Sequence, residues 1–418
     1  MKICFVVPPN STALADQIDP HLGLLCIAAA ARERGYEVEY YEWTLEGPLP
    51  FANVYALTSY GVNYHVAVDI AGMCQLSYPS SKVVLGGPVA SSLPMRCLED
   101  FDAVFIGEGE GAFLEFLNTL ETSRFYFGPY DPYVTGTSPP PAYDLVDWSK
   151  YSRTVMGQRA FPLITSRGCP FDCAFCSNDR KWGKFRKQPC STVRRDIRYG
   201  KEITGYAAVQ LWDSSFELRA DREYLDVIGQ EDVTFFYQAR GSAHGLDREI
   251  YQAGGRVAFM GVETGDPDLL KRMRKGLTPD QIKEAVYRAQ EAGISARCGL
   301  LFGFPGETPE TLERTRRFVE EMKPDQVFLS FFVPFPGGDV WRNPAKYGVT
   351  WMAPWDLQRI QEKRGWVKAS IETPWMSCDE WDKQAAYMSE WWKSLPRKQA
   401  ADPSWWKDKK AQEGKCRV

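Results

Sequence analysis

Ser166-Arg167-Gly168-Cys169-Pro170-Phe171-Asp172-Cys173-Ala174-Phe175-Cys176 is the stretch on which the reading of this chain turns. It follows a short β-rich run and sets three thiols at C-x3-C-x2-C spacing on one loop. Thiolates so spaced can wrap a cubic iron–sulfur cluster and leave its fourth iron without a protein ligand, open to chemistry. Structural zinc asks for four protein ligands. No fourth Cys or His lies close by, Cys190 being fourteen residues on.

Outward from this loop the chain reads as repeated β/α units. Toward the C-terminus, strands are expected at 162–166, 207–213, 233–240, 257–263, 296–302 and 326–333. Helical periodicity fills the gaps at 191–202, 222–228, 247–253, 279–292 and 309–322. Pro279 and Pro309 each follow a threonine able to cap, and Gly293 stands at a helix end. Six such units make an incomplete barrel whose active site lies where strands end and loops begin.

Toward the N-terminus a separate alternation appears, with strands at 2–7, 37–42, 54–58, 82–85 and 103–106 and a helix at 22–34. Interleaved strands and helices specify a parallel, doubly wound (Rossmann-like) sheet, which binds ligands at the carboxyl ends of its strands. Gly86-Gly87-Pro88 and Gly107-Glu108-Gly109-Glu110-Gly111 supply turn chemistry at two of those ends. The fold class is therefore α/β, expected as a doubly wound, Rossmann-like domain at 1–125, a Pro- and Gly-rich linker at 126–155, a partial (β/α)6 barrel at 156–340 and a Trp-rich helical region with a basic tail at 341–418. In the last region Trp381, Ala385, Met388 and Trp392 fall at helical spacing, which favours a helix packed against the barrel side over a lid across its mouth.

Composition narrows the function classes. Across 418 residues, 50 Lys+Arg against 54 Asp+Glu leave a net charge of −4, too little bias to demand a nucleic-acid partner. The longest uncharged apolar run, 23–31, is far short of the ~20 residues of a membrane span. The first residues read as a strand rather than a signal peptide, and eleven cysteines without one point to a reducing, cytoplasmic setting. Three histidines, His21, His65 and His244, give multi-histidine centres little material.

With these residues in view, the chain resembles the cobalamin-binding members of the radical S-adenosylmethionine (SAM) superfamily. The resemblance rests on Cys169, Cys173 and Cys176 with Phe175 before the last, and on a series of phrases in order: Pro20-His21-Leu22-Gly23, Gly86-Gly87-Pro88, Gly107-Glu108-Gly109-Glu110, Pro141-Ala142-Tyr143-Asp144-Leu145, Gly261-Val262-Glu263-Thr264, Phe302-Gly303-Phe304-Pro305-Gly306-Glu307-Thr308 and Pro334-Phe335-Pro336-Gly337. They cover about residues 1–340. The resemblance implies a 4Fe–4S cluster on the three cysteines, SAM on its open iron, and a cobalamin domain ahead of the barrel. An unactivated C–H bond lies beyond any side-chain acid or base, so a cofactor must supply the reactivity.

The resemblance also implies site residues. Phe175, Asp213, Arg240 and Glu263 would surround SAM, with Asp213 meeting its ammonium group, Arg240 its carboxylate and Glu263 its ribose hydroxyls. Thr58, Ser59, Tyr60 and Gly61 would lie under the corrin, Gly86, Gly87 and Pro88 would let backbone approach the cobalamin tail, and Gly107 and Glu108 would approach its nucleotide portion. Salt bridges at the barrel mouth are the alternative for the charged residues, and tight turns for the glycines. Asp19-Pro20-His21-Leu22-Gly23 is one residue short of the D-x-H-x-x-G motif that ligates cobalt from below, so His21 is expected to start a helix.

The function so implied is cobalamin-dependent methylation of an unactivated carbon on an unidentified small molecule or peptide, with an electron donor such as flavodoxin or ferredoxin. Cobalamin-dependent rearrangement or cyclisation shares the same motifs. A methylthiotransferase would need a second cluster on Cys4, Cys26 and Cys74, and a non-enzymatic cobalamin or redox sensor would use the cofactors as ligands only.

Overall fold

The computed structural model describes residues 1–9, 19–43, 48–128, 138–177, 185–216, 222–242, 245–353 and 369–395. His244, Trp405, Trp406, Cys416 and most of the basic tail lie outside the described residues.

The first unit runs β1 (Lys2–Val7), α1 (Leu22–Glu33), β2 (Glu37–Glu42), β3 (Val54–Thr58), α2 (Tyr64–Ser77), β4 (Lys82–Gly86), the short α3 (Pro88–Ser92) and α4 (Pro94–Cys97), β5 (Ala103–Ile106), α5 (Gly109–Thr119) and β6 (Arg124–Phe127). Its strands form a parallel sheet in the order β2-β1-β3-β4-β5-β6. Cys4, Val6, Tyr55, Leu57, Val83 and Leu85 face α2 on one side. Ile3, Phe5, Val54, Ala56 and Val84 face α1 and α5 on the other. A sheet buried on both faces explains why β3 and β4 read as continuous apolar runs without alternation. The order reverses between β1 and β3, and that switch point opens a crevice at the carboxyl edge.

The connecting stretch is more than a spacer. Ala142 N–H donates to Leu25 O at 3.1 Å, tying it to α1. Tyr143 is fully buried, its ring 5.7 Å from Phe161 and its hydroxyl donating to Pro162 O at 2.5 Å. Asp144 pairs with Arg32 and accepts from Tyr199. Proline and glycine read as a linker, but Tyr143, Trp148 and Tyr151, packed ring against ring, make the segment a packed strap.

The second unit begins with β7 (Thr154–Val155), antiparallel to β8 (Gln158–Leu163). Met156 at φ 50° and Gly157 at φ 80° form the two-residue turn between them, the left-handed pair such hairpins need. The polar, exposed start of β8, Gln158-Arg159, explains why sequence reading places this strand four residues late. There follow β9 (Ser166–Arg167), β10 (Arg186–Lys187), α6 (Cys190–Thr204), β11 (Ala208–Leu211), α7 (Arg222–Gly229), β12 (Thr234–Ala239), α8 (Asp247–Gln252), β13 (Gly255–Glu263), α9 (Pro267–Arg272), α10 (Pro279–Glu291), β14 (Ser295–Phe302), α11 (Pro309–Met322) and β15 (Gln326–Phe331). The strand order β15-β14-β13-β12-β11-β8-β7 is an open, curled half-barrel with its helices packed on the outer face. Thr278 and Thr308 cap α10 and α11 as their sequence suggests, each side chain accepting from the N–H three residues on.

Beyond the barrel lie α12 (Asp339–Arg342), the paired strands β16 (Trp351–Met352) and β17 (Ile371–Glu372), and α13 (Cys378–Ser394). Trp381 packs against Phe302 and Phe331 at ring distances of 5.2 and 5.3 Å, and Trp392 Nε1 donates to Val327 O at 2.7 Å. The helix therefore lies along the barrel side against β15. Its buried stripe ends on Trp391 rather than Trp392. No helix among the described residues is long and apolar enough to cross a membrane.

Candidate active site

The cysteine loop is held at its root, its middle and its tip. Asp213, directly beyond β11, is fully buried. Its Oδ1 accepts from the N–H groups of Thr165 (2.7 Å) and Ser166 (2.8 Å), and its Oδ2 accepts from Thr165 Oγ1. Burial pushes this carboxyl up to about 6, against the pull of those hydrogen bonds. Asp213 thus fastens the loop root through donors on Thr165 and Ser166.

Further along, Cys176 N–H turns back onto Cys173 O at 3.1 Å, and Ala174 N–H donates to Met273 O at 2.8 Å. Cys173 is buried, whereas Cys169 and Cys176 are partly open. Among the described residues no three ligating side chains converge on a point where one metal ion would sit.

Arg240 follows β12. Its Nη1 donates to Cys173 Sγ at 3.5 Å while the guanidinium lies 3.5 Å from the centre of the Phe171 ring. Glu263 ends β13 in a left-handed conformation, φ 67°, at a register shift against β14. Such a conformation is strained for a side chain larger than glycine and persists only where its surroundings hold it. Here Lys275 Nζ, buried, binds Glu263 Oε1 at 2.9 Å. Next to Lys275, Arg274 bridges Asp172 of the cysteine loop (3.1 Å) and Asp339 of α12 (2.9 Å). Burial works against the charge on Asp339, but Tyr347, Lys346, Asn343 and Arg274 together hold its carboxyl well below the usual range. Phe175 is half-buried in a small apolar group with Leu269, Met273 and Phe304.

The crevice of the first unit faces the same region. Thr58 and Ser59 are buried at the end of β3, and Tyr60 is 46% exposed. Gly87 has φ 92°, and a Cβ there would stand 2.5 Å from Thr58 Oγ1, so only glycine lets β3 and β4 end this close. His21 caps α1, its Nδ1 accepting from Leu24 N–H at 3.2 Å, which places the ring proton of the neutral form on Nε2, 3.5 Å from Tyr60 OH. An Nδ1 so used and a protonated Nε2 leave no lone pair for cobalt, in keeping with the helix-start reading. Pro334–Gly338 joins the two halves. A Cβ on Gly61 would lie 3.8 Å from the Phe335 ring, and one on Gly338 would lie 3.8 Å from Cys176 O.

Glu108 is buried between Arg167 (3.2 Å) and Arg186 of the barrel unit. Sequence reading passed over Arg167, Arg186, Arg274 and Lys275. The partners of the first two lie 57 to 78 residues away, and no local pattern signals them. Cys4 and Cys74 are fully buried within the first unit, Cys26 lies on α1, and burial raises all three thiols. They stand on a strand and two helices, which is no cradle for a second cluster.

Comparison with known proteins adds to this geometry. Residues 163–319 match the radical SAM superfamily and residues 13–117 match the B12 binding domain. An uncharacterized methyltransferase of Pyrococcus horikoshii is 28% identical over 82% of this chain and 82% of its own length. The hopanoid C-3 methylase of Methylococcus capsulatus is 26% identical over 83% of this chain and 73% of its own. In fold, the chain is similar to the radical SAM methyltransferase TsrM of Kitasatospora setae, solved with cobalamin and a 4Fe–4S cluster bound. That likeness has a TM-score of 0.71 at 16% identity and covers 94% of this chain and 91% of the other.

Proposed function

The chain belongs to the radical SAM superfamily, in a form with a B12-binding domain ahead of the barrel, and on that premise we propose that it methylates an unactivated carbon of its substrate. Its cofactors are a 4Fe–4S cluster, SAM and cobalamin. The observation that carries the reading is the placement of Pro334–Gly338 between the two units, so that a Cβ on Gly338 would meet Cys176 O and one on Gly61 would meet the Phe335 ring, each at 3.8 Å. A substrate seated there would border both the cysteine loop and the crevice. Two relatives whose names say methylase or methyltransferase, each matched over most of its length, support methyl transfer.

Cys169, Cys173 and Cys176 hold the cluster in this reading, with the Arg240 guanidinium donating to Cys173 Sγ. Arg240 offers its remaining donors to the SAM carboxylate. Glu263, fixed by Lys275, accepts from the ribose, and Phe175 borders the same space. Thr58, Ser59 and Tyr60 back the corrin, while Gly86, Gly87, Pro88 and Gly107 keep side chains away from its tail. When bound, the cluster supplies the electron that opens the SAM sulfonium and the corrin supplies a methyl carrier. The protein's own work is to align these groups and keep water out.

A radical SAM enzyme needs a reductant and a substrate. A flavodoxin or ferredoxin in a cytoplasmic setting fits the open cluster side. The test is anaerobic purification with iron and cobalamin supplied, and quantitation of iron, sulfide and corrin beside a Cys173→Ala control. One cluster and about one corrin per chain, with the cluster lost from the variant, are expected. Incubation with deuterated-methyl SAM and candidate substrates then separates methyl transfer from rearrangement or cyclisation, because only methyl transfer puts the label in product. A cluster with no retained corrin overturns the proposal.

A further inference from the structure

Glu108 and Glu110 of the first unit meet Arg167 and Arg186 of the second. Arg167 Nη1 donates to Glu108 Oε2 at 3.2 Å and its Nη2 to Glu110 Oε1 at 2.5 Å, while Arg186 Nη2 donates to Glu108 Oε1. Both carboxylates are 5% exposed and both guanidiniums 17%, so these opposite charges meet inside a nearly dry site. Burial disfavours the charged form of Glu110, yet Arg167 prevails and draws its carboxyl below the ordinary range.

The two arginines are not independent. Arg167 lies opposite Arg186 in the antiparallel ribbon of β9 and β10, through which the chain enters and leaves the cysteine loop. Both strands of that neck are therefore gripped from the first unit. The gripping loop is itself fixed. A Cβ on Gly128 would fall 1.6 Å from Glu108 O, one on Gly109 would fall 2.6 Å from Ile27 Cδ1, and Gly107 N–H donates to Ser91 Oγ at 3.0 Å. The same loop leaves β5 at the carboxyl edge of the sheet, the edge where the crevice opens.

We propose that Glu108, Glu110, Arg167 and Arg186 form an interdomain clamp through which the B12-binding domain holds the neck of the cysteine loop and sets the separation of cluster and corrin. These are positioning residues: none needs to touch a cofactor. Reaction between groups held on two domains depends on placement to within about an ångström. Three charge-assisted bonds brace the loop's neck directly, where the packed strap through Tyr143 does not reach. The proposal rests on the cofactor reading of the two units.

The test combines a cofactor-free and a cofactor-loaded measurement on the full chain. In the apo-protein, deuterium exchange of the amides in the cysteine loop and its neck is compared for wild type, Glu110→Gln, Arg167→Gln and the double variant. Exchange about tenfold faster in each single variant, with the double no faster than either, is the expected result. Unchanged exchange, or effects that simply add, overturns the clamp. Should Glu110→Gln fail to fold, Arg186→Lys keeps a charge at the neck, loses the planar fork and carries the same comparison. In the loaded protein, pulsed dipolar spectroscopy between the reduced cluster and the Co(II) corrin reads one narrow distance in wild type and a broadened one in the variants. Equal widths overturn the proposal. Absence of either spin signal in wild type instead overturns the cofactor reading, so the two failures are distinguishable.

Discussion

Arg240 donates to Cys173 Sγ at 3.5 Å while stacking on Phe171, so a residue at the end of β12 braces the cysteine loop at two points, 67 and 69 residues away in sequence. A guanidinium does this through a planar face and a fork of donors, and an ammonium has neither. Arg240→Lys is therefore expected to retain iron and sulfide but to lower kcat/KM for SAM cleavage by about 10- to 100-fold, the usual cost of losing a partner just outside a metal's ligands. Steady-state 5′-deoxyadenosine formation measures it. Full activity in the lysine variant removes Arg240 from the site.

Glu307 predicts a pH dependence. It is 3% exposed, its Oε2 accepting from Gly303 N–H, and burial, aided by nearby Asp266, raises its carboxyl from 4.5 to about 8. Between those values the folded chain holds a proton that the unfolded chain has released. Stability therefore falls as pH rises through that window and levels off above it. The melting temperature of wild type should drop between about pH 5 and about pH 8, and Glu307→Gln, neutral throughout, should flatten the slope. Parallel slopes in calorimetry would dismiss this residue as the source.

His21 predicts a silent substitution. Burial lowers its titration to about 4, so the ring is neutral at physiological pH and its Nδ1 serves the α1 N-terminus. Asparagine is an equally good cap, whereas alanine forfeits about 1 kcal/mol. His21→Asn should leave both stability and the visible spectrum of the bound corrin unchanged. A spectral change would restore His21 as a cobalt ligand.

Gly87 predicts a suppressible defect. Gly87→Ala places a Cβ 2.5 Å from Thr58 Oγ1 at a φ of 92°, combining a clash with backbone strain. A loss of about 2–4 kcal/mol is expected, along with corrin retention. Adding Thr58→Ala should recover the part due to the clash and leave the strain. Chemical denaturation of the single and double variants separates the two contributions.

Trp381 predicts how the C-terminal helix is anchored. The side chain is 1% exposed and packed on Phe302 and Phe331, so Trp381→Ala should cost about 3–5 kcal/mol. If α13 were a mobile lid, the measured loss would be far smaller.

The fold was legible because its signals are local. β1 to β5 fall at or within a residue of their expected positions, and β1, β3, β4 and β5, buried along most of their length, are short apolar runs between turn residues. Helices announced by Thr-Pro begin where expected because the cap and the fixed proline φ act within one turn. The strands β6 and β7 and the helix α9 escaped notice: they are short, and β6 carries exposed Arg124 and Phe127 at its ends.

Charged residues at strand ends were harder to assign, for a physical reason. Sequence places Asp213, Arg240, Glu263 and Glu108 at strand ends, and the structure keeps them there. What each carboxylate or guanidinium binds depends on which neighbour the packing brings within about 3 Å. For Asp213 that neighbour is the loop root, for Glu263 it is Lys275, and for Glu108 it is a pair of arginines on another domain. The amino-acid sequence alone determined two α/β units, a three-cysteine loop after a barrel strand and a glycine-built crevice, because backbone propensity, apolar period and ligand spacing are short-range properties. Only the tertiary structure decided which charges pair across the domains and how the cysteine loop is gripped, because electrostatic partners are chosen by distance in space, and sequence separation carries no record of it.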